Sequence, residues 1–144
     1  MDQYGSCEGR TSALPYSVMA ASVIYNKEIF DAQGLEVPQT WDELIAVCDQ
    51  LKDAGIDPFY ATFKDDWTVG QGWYDYSIGG SVDTIEFFDA MADEGAAVGP
   101  DSPVSFEKDF AEPMDQMMQL ANDYTNEDAE SRGYGDGNLS LIHI

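Results

Sequence analysis

The stretch from Ala13 to Leu44 constrains the fold of this chain more than any other part of its sequence. Two short apolar runs, at residues 13–16 and 19–24, come before a segment with the spacing of a short helix. Short apolar runs bounded by turn residues are typical of strands. A proline turn and a second helix follow, and this alternation of strands and helices predicts an α/β fold.

Both helices in this stretch carry start and stop signals. Asn26 can cap the first helix, and Gly34 can end it because glycine tolerates the left-handed conformation. Thr40 and Glu43 have the spacing of a capping box, in which each side chain bonds to the backbone N–H of the other residue. We expect the second helix to end at Gly55. Its apolar residues have the spacing of one helical face: Trp41, Leu44, Ile45, Cys48 and Leu51.

Beyond Gly55 the sequence predicts a strand at residues 59–63, and then an aromatic helix over about 68–78 that Gly79 and Gly80 break. Another amphipathic helix is predicted over 82–92. Its inward face would carry the apolar residues that recur at a spacing of three, Ile85, Phe88 and Met91.

The last helix is predicted to begin near Asp109 or Phe110. Proline is tolerated in the first turn of a helix but not in its interior, so Pro113 predicts either this start or a bend of the helix at the same place. The inward face is predicted to carry an aromatic and methionine-rich set, Phe106, Phe110, Met114, Met117, Met118 and Ala121.

The charge balance excludes several classes of partner. The chain of 144 residues has 28 acidic and 6 basic residues, for a net charge of -22. Such a protein repels phosphate backbones and anionic lipids, so we expect no nucleic-acid ligand. Cys7, Cys48 and His143 form no metal-binding or redox motif, and we expect neither a metal nor a cofactor. A disulfide between the two cysteines stays open.

A resemblance to a known family lies in the order Pro15-Tyr16, then Val23 to Lys27, then Pro38-x-Thr-Trp-Asp-Glu. This order resembles the middle of extracellular solute-binding proteins (family 1, maltose-binding type) of carbohydrate ABC transporters. The resemblance covers roughly Ala13 to Asn138. Its specific part is the first thirty residues, and the part after Gly80 fits by order and pattern only.

The resemblance implies mostly one lobe of a two-lobed periplasmic-binding-protein (type II) fold, truncated at both ends, so we expect an internal fragment. Residues 1–18 would be a loop and the hinge crossover strand, and residues 19–124 a partial second lobe. Residues 125–144 are polar and glycine-rich before an abrupt apolar end, and are predicted to be a disordered or artefactual tail.

The function implied by the resemblance is the capture of an extracellular sugar or oligosaccharide by hinge closure of two lobes. The bound carbohydrate would pass to the membrane permease subunits of an ABC transporter. The protein would act as a monomer without catalysis, either as a cell-surface lipoprotein or in the periplasm.

Candidate ligand-binding residues follow the predicted strand at 59–63. Aromatic rings stack on the apolar faces of sugars, and carboxylates accept hydroxyl protons. Asp65, Asp66, Trp67 and Trp73 offer both kinds of group. The alternative for these residues is that the carboxylates cap a helix or lie in a surface turn and that the indoles pack in the core.

Two further candidates, Tyr16 and Ser17, rest on the resemblance of Pro15-Tyr16 to the crossover of the chain through the hinge. For Tyr16 the alternative is a buried tyrosine with a bonded hydroxyl.

Two other functions remain open at this point. One is an acidic secreted glycosidase that uses Asp65 and Asp66, although neighbouring strand residues point to opposite sides and suit a catalytic pair poorly. The other is a non-catalytic adhesion module that uses the aromatic helix as a contact surface.

Overall fold

The computed structural model describes residues 6–7, 10–11, 16–17 and 22–137. In chain order the helices are α1 (Lys27–Gln33), α2 (Trp41–Asp53), a π-helix (Thr68–Tyr74), α3 (Asp75–Ser81), α4 (Thr84–Glu94), α5 (Phe106–Asp109) and α6 (Ala111–Asp123). Short 3₁₀ turns lie at Gly95–Ala97 and Ala129–Ser131, and one more helical turn spans 134–137. None of the helices in the described part of the chain is long and apolar enough to cross a bilayer.

Strands are few in the described residues. Ser6–Cys7 (β1) and Arg10–Thr11 (β2) pair antiparallel, and Phe59 forms an isolated parallel bridge with Thr125. The predicted α/β layering is therefore not seen there, and the described fold is mostly helical. The predicted strand over 13–16 lies outside the described residues except for its last residue. Of the run at 19–24, residues 22–24 are described and are not part of a strand.

The caps of α1 and α2 confirm the start and stop signals in the sequence. The Asn26 side chain accepts hydrogen bonds from two backbone N–H groups in the first turn of α1, and Gly34 follows the helix at φ 65°. At α2 the capping box between Thr40 and Glu43 is complete. Gly55 lies just beyond α2 at φ 74°, in the left-handed region where glycine carries no steric penalty.

The glycine pair does not break the aromatic helix where the sequence predicted. The π-helix leads directly into α3, and Gly79 and Gly80 lie in the last turn of α3. The chain leaves the helix only at Val82, whose backbone is extended. Asp83 then caps α4 by accepting the backbone N–H groups of Ile85 and Glu86. The boundary is thus set by the cap of the next helix and not by glycine.

The buried face of α4 is offset from the predicted one. Phe87 is 4% exposed, whereas Phe88, which was predicted to face inwards, is 53% exposed. Phe87 joins Ile78 and Phe110 in the core cluster, with Met91 packed against it. The prediction for Phe88 was wrong because the helices that pack on α4, and not its own periodicity, select the buried face.

The start of α6 agrees with the prediction from Pro113. The short helix α5 ends at Asp109, Phe110 separates the two helices, and α6 begins at Ala111. Pro113 is then the third residue of α6, where its missing N–H removes no helical bond. Of the residues predicted to face inwards, Phe110 and Met117 are buried, but Phe106 and Met118 are about half exposed.

A polar contact joins α2 to the end of α6. The Tyr124 hydroxyl donates to a carboxylate oxygen of Asp49 at 2.7 Å. The Lys52 ammonium lies 5.4 Å from the centroid of the Tyr124 ring and donates to the Asp123 carbonyl at 2.8 Å. Beside this contact the buried Cys48 is a free thiol, and burial together with the nearby Asp49 raises its pKa to about 11.

We expect alkaline pH to weaken this contact selectively. The hydrogen bond to Asp49, together with burial, raises the pKa of Tyr124 from 10.0 to about 12. A raised pKa means that folding favours the neutral phenol, so its stabilisation is complete below pH 10 and is lost as the pH rises towards 12. Tyr124→Phe should cost about 1 kcal/mol at neutral pH, and urea unfolding should show this difference shrinking in alkali.

The exposed Tyr76 provides the control, because Tyr76→Phe removes a hydroxyl from the surface of α3 and should leave stability unchanged. A difference between wild type and Tyr124→Phe that stays constant through this range would contradict the assignment of the alkaline loss to Tyr124.

The segment after α6 packs along residues 59–64. The backbone N–H of Phe63 donates to the Ala129 carbonyl at 2.8 Å, and that of Ala61 donates to the Asn126 side chain at 2.7 Å. Asn126 and Ala129 are buried. Residues 125–137 are therefore held by the rest of the chain, which differs from the loose tail predicted from their composition. The domain boundaries at residues 18 and 124 stay predictions.

A single bridge forms between these segments because the second one curls after it. The chain enters the 3₁₀ turn Ala129–Ser131 four residues after Thr125. A curled segment cannot present a second edge to a strand, so the Ala61 N–H donates instead to the Asn126 side chain and the Phe63 N–H to the Ala129 carbonyl of the turn. This is the physical reason why the strand predicted at 59–63 forms no ladder with its neighbour.

Candidate functional site

The turn that follows residue 63 carries the candidate residues Asp65, Asp66 and Trp67. The buried Thr68 closes this turn, because its hydroxyl lies within hydrogen-bonding distance of the carbonyls of Thr62 and Asp65. The backbone N–H of Thr68 also donates to the Asp65 carbonyl at 2.9 Å. These contacts fix the turn and leave Asp66 and Trp67 on its exposed side.

Asp65 is occupied by a contact within the chain. One of its carboxylate oxygens accepts the backbone N–H of Tyr134 at 2.7 Å, across 69 residues of sequence. At the neighbouring position, the N–H of Gly133 donates to a carboxylate oxygen of Asp136 at 2.9 Å. The Asp65 carboxylate thus ties the segment after α6 to the turn.

Trp67 forms an exposed aromatic pair with Tyr134. The ring centroids are 4.8 Å apart and the planes are inclined by 58°. Trp67 is 48% exposed and Tyr134 is 50% exposed, so each ring keeps about half of its surface open to solvent. We call these two side chains the Trp67–Tyr134 pair. Exposed aromatic rings of this kind are the groups on which sugar rings stack.

Trp73 has a different environment. Its ring meets Phe63 edge to face at a centroid distance of 5.3 Å and Phe59 at 5.9 Å. It is partly buried, and these contacts hold the π-helix against residues 59–63. The packing alternative therefore accounts for Trp73, while its predicted contact with ligand stays a prediction.

Tyr16 is 100% exposed, so its ring rests on no described residue, and Ser17 is exposed as well. The structure does not bring either residue into the Trp67–Tyr134 pair. Their predicted role at the hinge stays a prediction.

An ion pair supports the turn that carries Tyr134. The Arg132 guanidinium lies 2.6 Å from a carboxylate oxygen of Asp128. Hydrogen bonds from Arg132 and then from Asn126 lower the pKa of Asp128. The Arg132 carbonyl in turn accepts the backbone N–H of Lys64 at 3.1 Å. The segment that leads into Tyr134 is therefore bonded both to itself and to the turn at residues 64–65.

A cavity of about 860 Å³ lies elsewhere in the described part of the chain, between α1, α2 and residues 56–62. Its lining is mainly apolar and includes Phe30, Trp41 and Leu44, and Asp57 is the one carboxylate among the described residues that line it. Of the aromatic pair only Tyr134 reaches its edge, and none of the predicted site residues lines it. The cavity and the Trp67–Tyr134 pair are therefore separate features that meet only at Tyr134.

Across residues 22–137 and the shorter described segments, no group of three or more His, Cys, Asp or Glu side chains is placed to hold a metal ion.

Comparison with known proteins decides the family. The sequence model of the family described as "Bacterial extracellular solute-binding protein" matches residues 2–138. The chain belongs to this family. Membership confirms the family predicted from the order of Pro15-Tyr16, Val23 to Lys27 and Pro38-x-Thr-Trp-Asp-Glu, and with it an extracellular or periplasmic location. The family has the periplasmic-binding-protein fold, and its name describes binding proteins.

Individual relatives agree with this family assignment. A "Multiple sugar-binding protein" of Streptococcus mutans is 30% identical over 66 residues, which is 46% of the chain and 16% of the relative. A "Probable sugar-binding periplasmic protein" of Rhizobium meliloti is 33% identical over 79 residues, which is 54% of the chain and 17% of the relative. An "Uncharacterized ABC transporter extracellular-binding protein" of Pyrococcus horikoshii is 39% identical over 62 residues, 41% of the chain and 14% of the relative.

The matched part of this solute-binding chain therefore spans about a sixth of the length of these relatives. No solved structure matches it significantly.

Sequence reasoning missed Tyr134 as a candidate. The residue lies in the polar stretch that was predicted to be a loose tail, where an isolated tyrosine between two glycines carries no helical or strand pattern. The signal that the sequence did offer was an aromatic residue with no apolar neighbours to pack on, since Tyr134 lies between two glycines in an acidic segment.

Proposed function

We propose that this chain is part of the substrate-binding component of an ABC importer that captures an extracellular sugar or oligosaccharide. Its membership in the solute-binding family supports the class of protein. The names of two relatives supply the class of ligand. The observation that carries the proposal for this chain is the Trp67–Tyr134 pair, which presents two half-exposed rings next to the exposed Asp66.

The chemistry of such a site follows from its parts. The aromatic faces would stack on the C–H surface of a pyranose ring. The Asp66 carboxylate, adjacent in sequence to Trp67, would accept hydroxyl protons in charge-assisted hydrogen bonds. Recognition of this kind requires no bond making or breaking, which agrees with a binding protein.

The chain would form most of one lobe of a two-lobed protein. Ligand bound to this lobe would favour closure by the other lobe, because only the closed state adds the second set of contacts. Tyr16 and Ser17 would lie at the crossover between the lobes. The closed, monomeric protein would then deliver the sugar to the permease subunits of the importer.

A catalytic alternative gains no support from the described geometry. A glycosidase would need the Asp65 and Asp66 carboxylates to act together across a glycosidic bond. One oxygen of Asp65 accepts the backbone N–H of Tyr134, and Asp66 is the next residue of the same turn. No observation favours the adhesion module over the binding protein.

Thermal unfolding in the presence of sugars tests the proposed function. The protein that carries this chain, at its full natural length, would be mixed with glucose, maltose, sucrose or raffinose. A sugar that binds should raise the melting temperature, since a hundredfold excess over Kd stabilises the folded state by about 2.7 kcal/mol. Trp67→Ala should abolish the rise, while Tyr76→Ala, which removes a 61% exposed ring on α3, should retain it.

Two results would contradict the proposal. One is the absence of a shift with any sugar of the panel. The other is a shift that survives in Trp67→Ala, since the sugar would then bind away from the aromatic pair.

A further inference from the structure

We propose that Tyr134 is a second sugar-stacking residue beside Trp67, and that Asp65 is a positioning residue that holds the Tyr134 ring in place. The inference rests on the proposed function for its ligand, a pyranose ring. It differs from the expectation that Asp65 itself contacts the sugar. It also gives a binding role to the segment after α6, which the sequence predicted to be a loose tail.

Trp67 and Tyr134 share an exposed surface. Aromatic rings in a protein core are covered on both faces, whereas Trp67 and Tyr134 contact each other and leave about half of each side chain open. Stacking on a sugar needs such an open face, and a neighbouring ring extends the apolar area that the sugar can cover. Tyr134 therefore enlarges the contact that Trp67 alone would make.

The backbone around Tyr134 is held by two hydrogen bonds to the turn at residues 64–65. The Lys64 N–H donates to the Arg132 carbonyl at 3.1 Å, and the Tyr134 N–H donates to Asp65 at 2.7 Å. These two bonds join Lys64 and Asp65 of the turn to Arg132 and Tyr134 of the later segment. They fix the backbone on both sides of Gly133, and so they fix the position from which the Tyr134 side chain extends.

The backbone of Gly133 lies close to the Asp65 carboxylate. A Cβ atom at this position would lie 3.2 Å from a carboxylate oxygen of Asp65 and 3.9 Å from one of Asp136. The absence of a side chain therefore lets the segment come close enough for the bond between Asp65 and the Tyr134 N–H. Glycine at 133 and the Asp65 carboxylate act together as the support of the aromatic ring.

Two substitutions of Asp65 separate positioning from direct contact with ligand. Asp65→Asn keeps an oxygen that can accept the Tyr134 N–H but removes the charge. Asp65→Ala removes the acceptor altogether. A positioning role predicts that the asparagine variant behaves like the wild type and that the alanine variant fails. A charge-assisted contact with a sugar hydroxyl predicts that both variants fail.

The first measurement needs no ligand. The NMR signal of the Trp67 indole N–H, assigned by its loss in Trp67→Phe, reports on the neighbouring Tyr134 ring. The signal should shift in Tyr134→Leu and in Asp65→Ala, and it should stay in place in Asp65→Asn and in the control Tyr76→Leu. An unchanged signal in Asp65→Ala would overturn the positioning role, whatever the protein binds.

The second measurement is calorimetric titration of the natural-length protein with the sugar of the panel that gives the largest thermal shift. Tyr134→Leu and Asp65→Ala should weaken binding about tenfold, the equivalent of about 1.4 kcal/mol, while Asp65→Asn and Tyr76→Leu should bind like the wild type. Wild-type affinity in Tyr134→Leu together with lost binding in Trp67→Ala would overturn the stacking role and leave the proposed function intact. Failure of the wild type to bind any sugar of the panel would overturn the proposed function and the stacking role together.

Discussion

Replacement of Phe87 by alanine should lower the free energy of unfolding by about 3–5 kcal/mol, the range typical of phenylalanine truncation in a core. Phe87 is 4% exposed and belongs to the same buried cluster as Ile78 and Phe110. Its ring lies 4.9 Å from that of Phe110 and 5.2 Å from that of Phe106. Truncation removes these contacts and leaves a cavity at the junction of α3, α4 and α6.

The adjacent residue is the matched control. Phe88 is 53% exposed, and Phe88→Ala should cost only about 1 kcal/mol because about half of the side chain is already open to solvent. Urea unfolding followed by circular dichroism measures both variants. A loss in Phe88→Ala equal to or larger than that in Phe87→Ala would show that α4 buries the face predicted from its periodicity and not the face in the structure.

The second large effect is expected at Asn126, where alanine should cost about 2 kcal/mol. Asn126 is 6% exposed and Ala61 is 2% exposed, and the amide oxygen of the asparagine accepts the Ala61 N–H at 2.7 Å. Alanine at 126 would leave this buried N–H without a partner, which carries a desolvation penalty of about 1–3 kcal/mol. The hydrogen bond to the Asp128 carboxylate would be lost as well.

The control for this prediction is Asn122→Ala at the exposed end of α6, which should change stability by less than about 0.5 kcal/mol. Equal urea midpoints for Asn126→Ala and wild type would contradict the role assigned to Asn126. The substitution has a functional consequence too, because Asn126 holds the segment that carries Tyr134. A loss of sugar affinity in Asn126→Ala should therefore accompany its loss of stability.

Local signals in the sequence were reliable where the interaction itself is local. Asn26, Gly34 and the capping box at Thr40 act on backbone groups within four residues, and each is found as predicted. Pro113 set the start of α6 for the same reason, because the missing N–H and the ring clash concern only its own turn. The family resemblance also rested on this local part of the chain, and the family assignment is confirmed.

Predictions of burial were less reliable, because burial depends on packing partners. The periodicity of α4 is compatible with an inward Phe88, but α3 and α6 approach the helix on the side of Phe87. The strand at 59–63 has suitable residues, but its neighbour curls after one bridge. In both cases the deciding contact comes from a distant part of the chain.

In the candidate site, too, some features could be predicted from the sequence and others could not. Asp65, Asp66 and Trp67 could be proposed from their residue types and from their position after an apolar run. The pairing of Trp67 with Tyr134 could not, because 67 residues of sequence separate the two rings. The bond from Asp65 to the Tyr134 N–H is equally invisible in the sequence, where Asp65 has the pattern of an ordinary turn residue.

The sequence by itself therefore determined where the helices with strong caps begin and end, the acidic character of the surface and the family of the protein. Those properties depend on neighbouring residues or on composition. Only the tertiary structure decided which phenylalanine of α4 is buried, how residues 124–134 are held and which ring meets Trp67. Those outcomes depend on contacts between segments far apart in the chain, whose free energy is gained only when the segments have come together.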